Sequence, residues 1–267
     1  MFGSWQFDST TMRIAVVVFF CLLVACVLLV VGLLLLRVFH DWRDRHREEK
    51  AAELRTVFFE LVMGEPREAL RAERFLHRMS PREWRFARAQ AFSMLPKLRG
   101  ESRDHLIRLL RDKGSIAVAL EQVRSVSMVR RCRGAFALGA LQDQDHADVL
   151  IDLLGDPAFL VRRVSVRALG NLGAAEAVRP LVDLAGVEPR LSRDLVYALH
   201  RIGAAGTGDM REHLRTVVDS GDPDRSGDLV ATVLGTLGDY PSRHVLVDGL
   251  RSDRPELAAA CAEALGE

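Results

Sequence analysis

Hydrophobic and polar positions follow three successive patterns along the chain. The run from Ile14 to Leu36 contains no charged residue. A helix of that length is about 35 Å long, against a bilayer core of about 30 Å. The pattern therefore predicts one transmembrane helix. A cleaved signal peptide is the competing reading, but its apolar region is shorter and ends in small residues; this run ends LLLLRVFHDWR. From His40 to Met63 there is no Gly or Pro, and Leu54, Val57, Phe58, Leu61 and Val62 share one helical face. Gly64 and Pro66 break that run. Helices are then predicted over Pro66–Met79, Ser80–Leu98 and Glu101–Lys113, with Ser80 and Glu83 at capping-box spacing.

The third pattern begins at Ser115 and repeats. Helical runs are predicted over 115–125, 127–141, 147–154, 157–172, 175–185, 189–202, 208–218, 223–237, 242–250 and 255–265, with no strand-like alternation. Leu138, Leu169, Leu199, Leu234 and Leu265 occupy one position in successive copies, at a nearly constant step. Asp156-Pro157, Glu188-Pro189 and Asp222-Pro223 move with them, as does Arg254-Pro255. A period of about 30 residues holding two helices is the signature of a helical solenoid. A small column, Ala137, Ala168, Ala198, Val233 and Ala264, predicts close helix approach. A larger one, Leu141, Leu172, Ile202 and Leu237, predicts the core, together with first-helix residues such as Leu150, Leu181, Leu214, Leu246 and Leu250.

The clearest copy reads Asp156, Pro157, Val161, Arg162, Ala168, Leu169, Gly170, Leu172, Gly173. It resembles the second helix of a HEAT repeat, in the short bacterial variety also called PBS-lyase-like. The resemblance extends over about Ser115–Glu267 in five copies; the copy at Arg190–Gly203 keeps its Pro but lacks Val-Arg. It implies an all-α, right-handed α-solenoid whose second helices line a concave face, and binding rather than catalysis. The expected organisation is a short extracytoplasmic N-terminus (1–13), a transmembrane helix (14–36), a basic juxtamembrane helix or stalk (37–63), a helical cap or degenerate repeats (64–114) and the repeats (115–267).

Charge adds orientation to this picture. From Arg37 to Arg133 there are 23 basic and 14 acidic residues; from Gly134 to Glu267 there are 13 and 21. Basic residues crowd the C-terminal flank of the apolar run, while only Arg13 precedes it. The positive-inside rule then puts the repeats in the cytoplasm and the N-terminus outside a bacterial inner membrane. The basic half meets anionic lipid. The acidic distal repeats oppose nucleic-acid binding. Four Cys without paired spacing read as reduced thiols.

Candidate chemistry is sparse. None of the eight His forms an HExxH set, and no Cys joins them at zinc spacing. The acidic loop Asp143, Asp145, His146, Asp148 lacks the Gly and terminal Glu of a calcium loop. Gly203-x-x-Gly206-x-Gly208 follows a helix, not a strand, and reads as a helix end and turn. No catalytic, cofactor-binding or metal-binding residues are assigned.

Three variable columns of the second helices are expected to face solvent on the concave side. Through Arg167 runs Phe136, Arg167, Tyr197, Thr232 and Glu263. Four residues earlier runs Cys132, Arg163, Arg193, Asp228 and Ala259; three later runs Gly139, Gly170, His200, Gly235 and Gly266. The candidate partner-binding set is Phe136, Arg163, Arg167, Arg193, Tyr197 and His200. A solvated face is the plainer alternative for these residues. The function expected is a membrane-anchored adaptor or scaffold that binds a protein partner, such as a membrane-associated enzyme complex. The alternative is an enzyme or lyase-like subunit with a site in the solenoid groove.

Overall fold

A computed structural model describes residues 19, 23, 28–34, 37, 52–61, 63–220 and 225–266. The described residues are helical with no strand, and they fall into two compact units with their boundary at Gln90 and Ala91.

The predicted transmembrane span lies mostly outside the described residues. Those that are described within it, Phe19, Leu23 and residues 28–34, are helical, and their large apolar side chains are exposed. No helix among the described residues is long and apolar enough to cross a membrane.

The first unit contains α1 (residues 52–61), α2 (Pro66–Arg78) and the start of α3 (Pro81–Met94). Its core is built from Leu54, Phe58, Leu61, Ala72, Leu76, Trp84 and Ala87. The capping box at the start of α3 forms: the Ser80 backbone N–H donates to Glu83 Oε2 at 2.9 Å, and the Glu83 N–H donates to Ser80 Oγ at 3.4 Å. A groove of about 540 Å³ in this unit is lined by Glu53, Leu54, Phe75, Arg78, Met79, Arg82, Glu83 and Phe86.

The second unit is an α-solenoid. After α4 (Glu101–Asp112) come five helix pairs: α5 (Ser115–Val123) with α6 (Met128–Ala140), α7 (Ala147–Asp152) with α8 (Phe159–Leu172), α9 (Val178–Val187) with α10 (Ser192–Ile202), α11 (Thr207–Ser220) with α12 (Ser226–Thr236), and α13 (Arg243–Gly249) with α14 (Pro255–Gly266). Short turns fold each first helix back on its second. Each second helix also packs on the second helix of the next pair. A pair has too little interior to bury its own apolar face, so the core runs continuously from Ala119 to Ala264 through the stack. Leu150, Leu181 and Leu214 are fully buried in it, and Leu141 is fully buried as well. Leu250 is not: α13 ends at Gly249, and Leu250 begins the turn, exposed.

Two details depart from the sequence pattern. First, α8 starts at Phe159, after its Asp-Pro signal rather than at it. Asp156 Oδ1 accepts the Ala158 N–H at 2.8 Å, so Asp156 and Pro157 form a turn that precedes the helix. Gly173 then closes the helix in the left-handed region, φ 73°.

Second, three members of the glycine column do not face solvent, whereas His200 and Gly266 are exposed. Gly139, Gly170 and Gly235 are buried against the small column of the following repeat. A Cβ on Gly139 would lie 2.6 Å from Ala168 Cα. One on Gly170 would lie 2.6 Å from Ala198 Cα, and one on Gly235 2.6 Å from Ala264 Cα. Successive second helices therefore touch backbone to backbone, with Gly on one and Ala on the other. At the junction of α10 and α12 both members change, to His200 and Val233, and that second-helix contact is much the thinnest of the four. There α12 also leans on α9 and α11.

This geometry predicts opposite outcomes for two glycine substitutions. Gly170→Ala forces the α8 and α10 backbones apart and lowers stability by about 1–3 kcal/mol in urea unfolding. Gly208→Ala, in the first turn of α11 with open space around it, leaves stability unchanged or raises it by about 0.4–1 kcal/mol.

Candidate functional site

The exposed edge of the second helices gathers part of the predicted set. On α8, Arg163 and Arg167 stand one turn apart. Both reach one carboxylate on α10: Arg163 Nε lies 2.8 Å from Asp194 Oδ2, and Arg167 Nε lies 3.0 Å from Asp194 Oδ1. Asp194 is only 7% exposed, whereas the two arginine side chains are about half exposed. The guanidinium of Arg167 also sits over the Tyr197 ring, 5.6 Å from its centroid. Tyr197 Oη in turn donates to Asn171 Oδ1 at 3.2 Å.

Four side chains from α8 and α10 are thus locked in place around a buried acid. One negative charge is shared between two arginines, so the cluster keeps a net positive charge. It presents two guanidinium edges and a tyrosine that is 41% exposed. Arg193 and His200 lie on the same face of α10 as Tyr197, at i−4 and i+3; both are exposed. Phe136 is apart from this cluster. It occupies the equivalent position one repeat earlier, 44% exposed, and its ring packs on Phe92 with centroids 6.2 Å apart. Arg163, Arg167, Tyr197, Arg193 and His200 thus form one ridge, and Phe136 lies on α6.

Sequence reasoning missed Asp194, the acid that organises the ridge. It also missed a second set of inter-repeat bonds along the turns. Arg131, in α6, reaches forward to the acid of the next Asp-Pro turn: its Nε lies 2.7 Å from Asp156 Oδ2 and its Nη2 2.9 Å from Asp156 Oδ1. Its Nη1 donates back to the carbonyls of Ser125 and Val126, at 3.1 and 3.0 Å. Arg162 repeats the arrangement in the next pair. It donates to the Asp156 carbonyl at 2.8 Å and forward to Glu188. Each arginine ties the turn before its own helix to the turn of the following repeat. The copy at Arg190–Gly203 has Ser192 at this position, and the ladder stops there. The signal in the sequence was slight: the arginine occurs only at 131 and 162, while an acid precedes Pro at 156, 188 and 222.

The hydrogen bonds from Arg131 hold the Asp156 carboxyl below its usual range; burial opposes them and the Ala158 N–H assists. Asp228 shows the reverse balance. Burial pushes its carboxyl up, although Arg254 donates to both its oxygens at 3.0 and 3.3 Å. Burial also raises the Cys132 thiol, with the Asp156 carboxylate adding to the effect, and pushes Cys261 up to about 11.

The acidic loop is accounted for locally. Asp143 is buried and its Oδ2 lies 2.8 Å from His146 Nδ1. Among the described residues no group of three or more His, Cys, Asp or Glu is placed to hold a metal ion. Gly203 ends α10, and the chain turns through Gly206 into α11.

Residues 116–200 match the family model for HEAT repeats. The chain carries HEAT-like repeats. The match runs from α5 to α10 and so contains both the Arg131–Arg162 ladder and the ridge. No curated protein matches. A crystal structure of an engineered protein from the Northeast Structural Genomics Consortium aligns with 18% identity over 73% of this chain and 94% of that one, with a TM-score of 0.41. A second engineered protein from the same consortium aligns with 18% identity over 80% of this chain and 67% of its own, with a TM-score of 0.36. HEAT repeats in general form protein-interaction scaffolds.

Two outcomes are expected from these environments. Asp156 has a depressed carboxyl, so its contribution is complete above the unfolded value of about 3.9 and is lost as pH falls through the lower folded value. Asp156→Asn therefore lowers stability at pH 7 by roughly 1–3 kcal/mol, and the gap to the unsubstituted protein narrows in urea titrations run at successively lower pH below about 4. Cys261, buried and with its thiol raised to about 11, resists iodoacetamide at pH 8 until the protein is unfolded, as read by peptide mass spectrometry.

Proposed function

We propose that this chain is a membrane-anchored adaptor whose cytoplasmic solenoid binds a protein partner through the α8–α10 ridge. The observation that carries the reading is the Asp194 cluster: two arginines and a tyrosine, held rigid yet half exposed. Arginine and tyrosine are the residue types that dominate binding energy when a partner excludes water from them. Holding them in place beforehand reduces the entropy lost on association. The remaining positive charge favours an acidic partner surface. The role proposed is recognition rather than catalysis. The stack is read as a right-handed superhelix with the ridge on its concave side, and the partner as part of a membrane-associated complex.

The anchor rests on the charge-free run Ile14–Leu36 and on the exposed apolar helix at residues 28–34. Its orientation rests on the basic residues that follow.

Arg167 holds a buried acid, so reversing its charge would damage the fold as well as the ridge. The better test is Arg193→Glu combined with Tyr197→Ala. Stoichiometric co-purification of the partner is expected to fall at least about tenfold, the effect of roughly 1.4 kcal/mol. The thermal midpoint should stay within about 2 °C. Recovery equal to that of the unsubstituted protein would remove the ridge from the interface. A C-terminal alkaline phosphatase fusion that is active outside the cytoplasm would reverse the orientation.

A further inference from the structure

The outward face of α2 in the first unit has a composition that the adaptor role leaves unused. Arg67, Arg71, Arg74 and Arg78 are all exposed. At 100° per residue they fall within an arc of about 60° on one side of the helix. Ala72 and Leu76 lie on the opposite side and are buried in the core of the unit. None of the four arginines has a carboxylate within ion-pair distance among the described residues, although α2 contains Glu68 and Glu73. Glu68 accepts the Glu65 backbone N–H at 3.2 Å, and Glu73 lies 3.9 Å from His77. Four like charges are therefore aligned over three turns with no carboxylate in direct contact among the described residues, and like charges at this spacing repel.

Two apolar side chains flank the stripe. Leu70, on one side, is 50% exposed, and Phe75, on the other, is 47% exposed. Phe75 and Arg78 also line the groove of about 540 Å³, together with Leu54 and Met79. Of the two acids at that groove, Glu83 is engaged in the cap of α3 and Glu53 is exposed.

We infer that this face of α2 docks on the anionic phospholipid headgroups of the membrane that anchors the chain. Phosphate oxygens would accept hydrogen bonds from the arginine stripe, and Leu70 and Phe75 would enter the interfacial layer. The charge selects a polyanion. The flanking apolar side chains, together with a position only one predicted helix beyond the charge-free run, favour a bilayer surface over a nucleic acid or an acidic protein. The inference rests on the anchored reading and names the surface that would hold the first unit against the leaflet.

The test uses the full chain reconstituted in nanodiscs of phosphatidylcholine alone or with added phosphatidylglycerol. Phenylglyoxal labelling of arginines is followed by peptide mass spectrometry, with exposed Arg193 in the second unit as reference. Labelling of Arg67, Arg71, Arg74 and Arg78 is expected to fall about fivefold or more in the anionic discs only, the factor that about 1 kcal/mol per arginine gives. It should recover at high salt. Equal labelling in both discs would overturn the proposal, as would the same protection from inorganic phosphate or RNA in neutral discs. Failure of the chain to enter either disc would count against the anchor instead. Anionic and neutral vesicles added to the free protein would then decide the α2 surface by the same labelling.

Discussion

The solenoid depends on backbone contact between successive second helices. Gly139, Gly170 and Gly235 each lie against an alanine of the next repeat at a distance that leaves no room for a Cβ. Close approach brings the larger side chains around it into register. Leu138, Leu169, Leu199 and Leu234 become fully buried between helices that would otherwise stand farther apart. The Gly–Ala contact gives little transfer energy itself. It sets the spacing at which the leucines give theirs.

Polar bonds between repeats then fix orientation about that contact. The Arg131–Asp156 and Arg162–Glu188 pairs lie at the turns, and the Arg163–Asp194–Arg167 cluster lies along the helices. A contact between two flat, small-residue surfaces permits sliding, and directional bonds on both sides of it oppose this. In α8 the backbone contact, the turn ladder and the ridge occur together. That is why its segment, Asp156–Gly173, is the most regular copy in the chain.

Recurrence decided what the sequence could reveal. The alanine column and the core leucines repeat with the period, so their burial was legible. The glycine column repeats equally well but was placed on the solvent face. A glycine has no side chain whose character marks a face, and its partner is an alanine in the next repeat. Asp194 was illegible for the opposite reason. It occurs once, within a helix, and its role comes from two arginines of the preceding repeat that reach it only after the repeats stack. The ridge itself was partly legible: Arg163, Arg167 and Tyr197 are joined by contacts, whereas Phe136 lies one repeat away, against Phe92.

The position of the ridge follows from where the close contact fails. His200 and Val233 replace the Gly–Ala pair at the α10–α12 junction, and α11 is the longest first helix of the five pairs. A Cβ-bearing residue at 200 and a larger one at 233 prevent the backbone approach found at the other three junctions. α12 is therefore held from the side, by α9 and α11, as much as by α10. On the exposed side this leaves the outer face of α10, with Arg193, Tyr197 and His200, uncovered by the following repeat. The same substitution that weakens the stack locally thus opens the surface that the stack upstream holds rigid. A ridge placed at the tight α8–α10 junction, just before the loose one, combines a fixed geometry on its α8 side with an uncovered face on its α12 side.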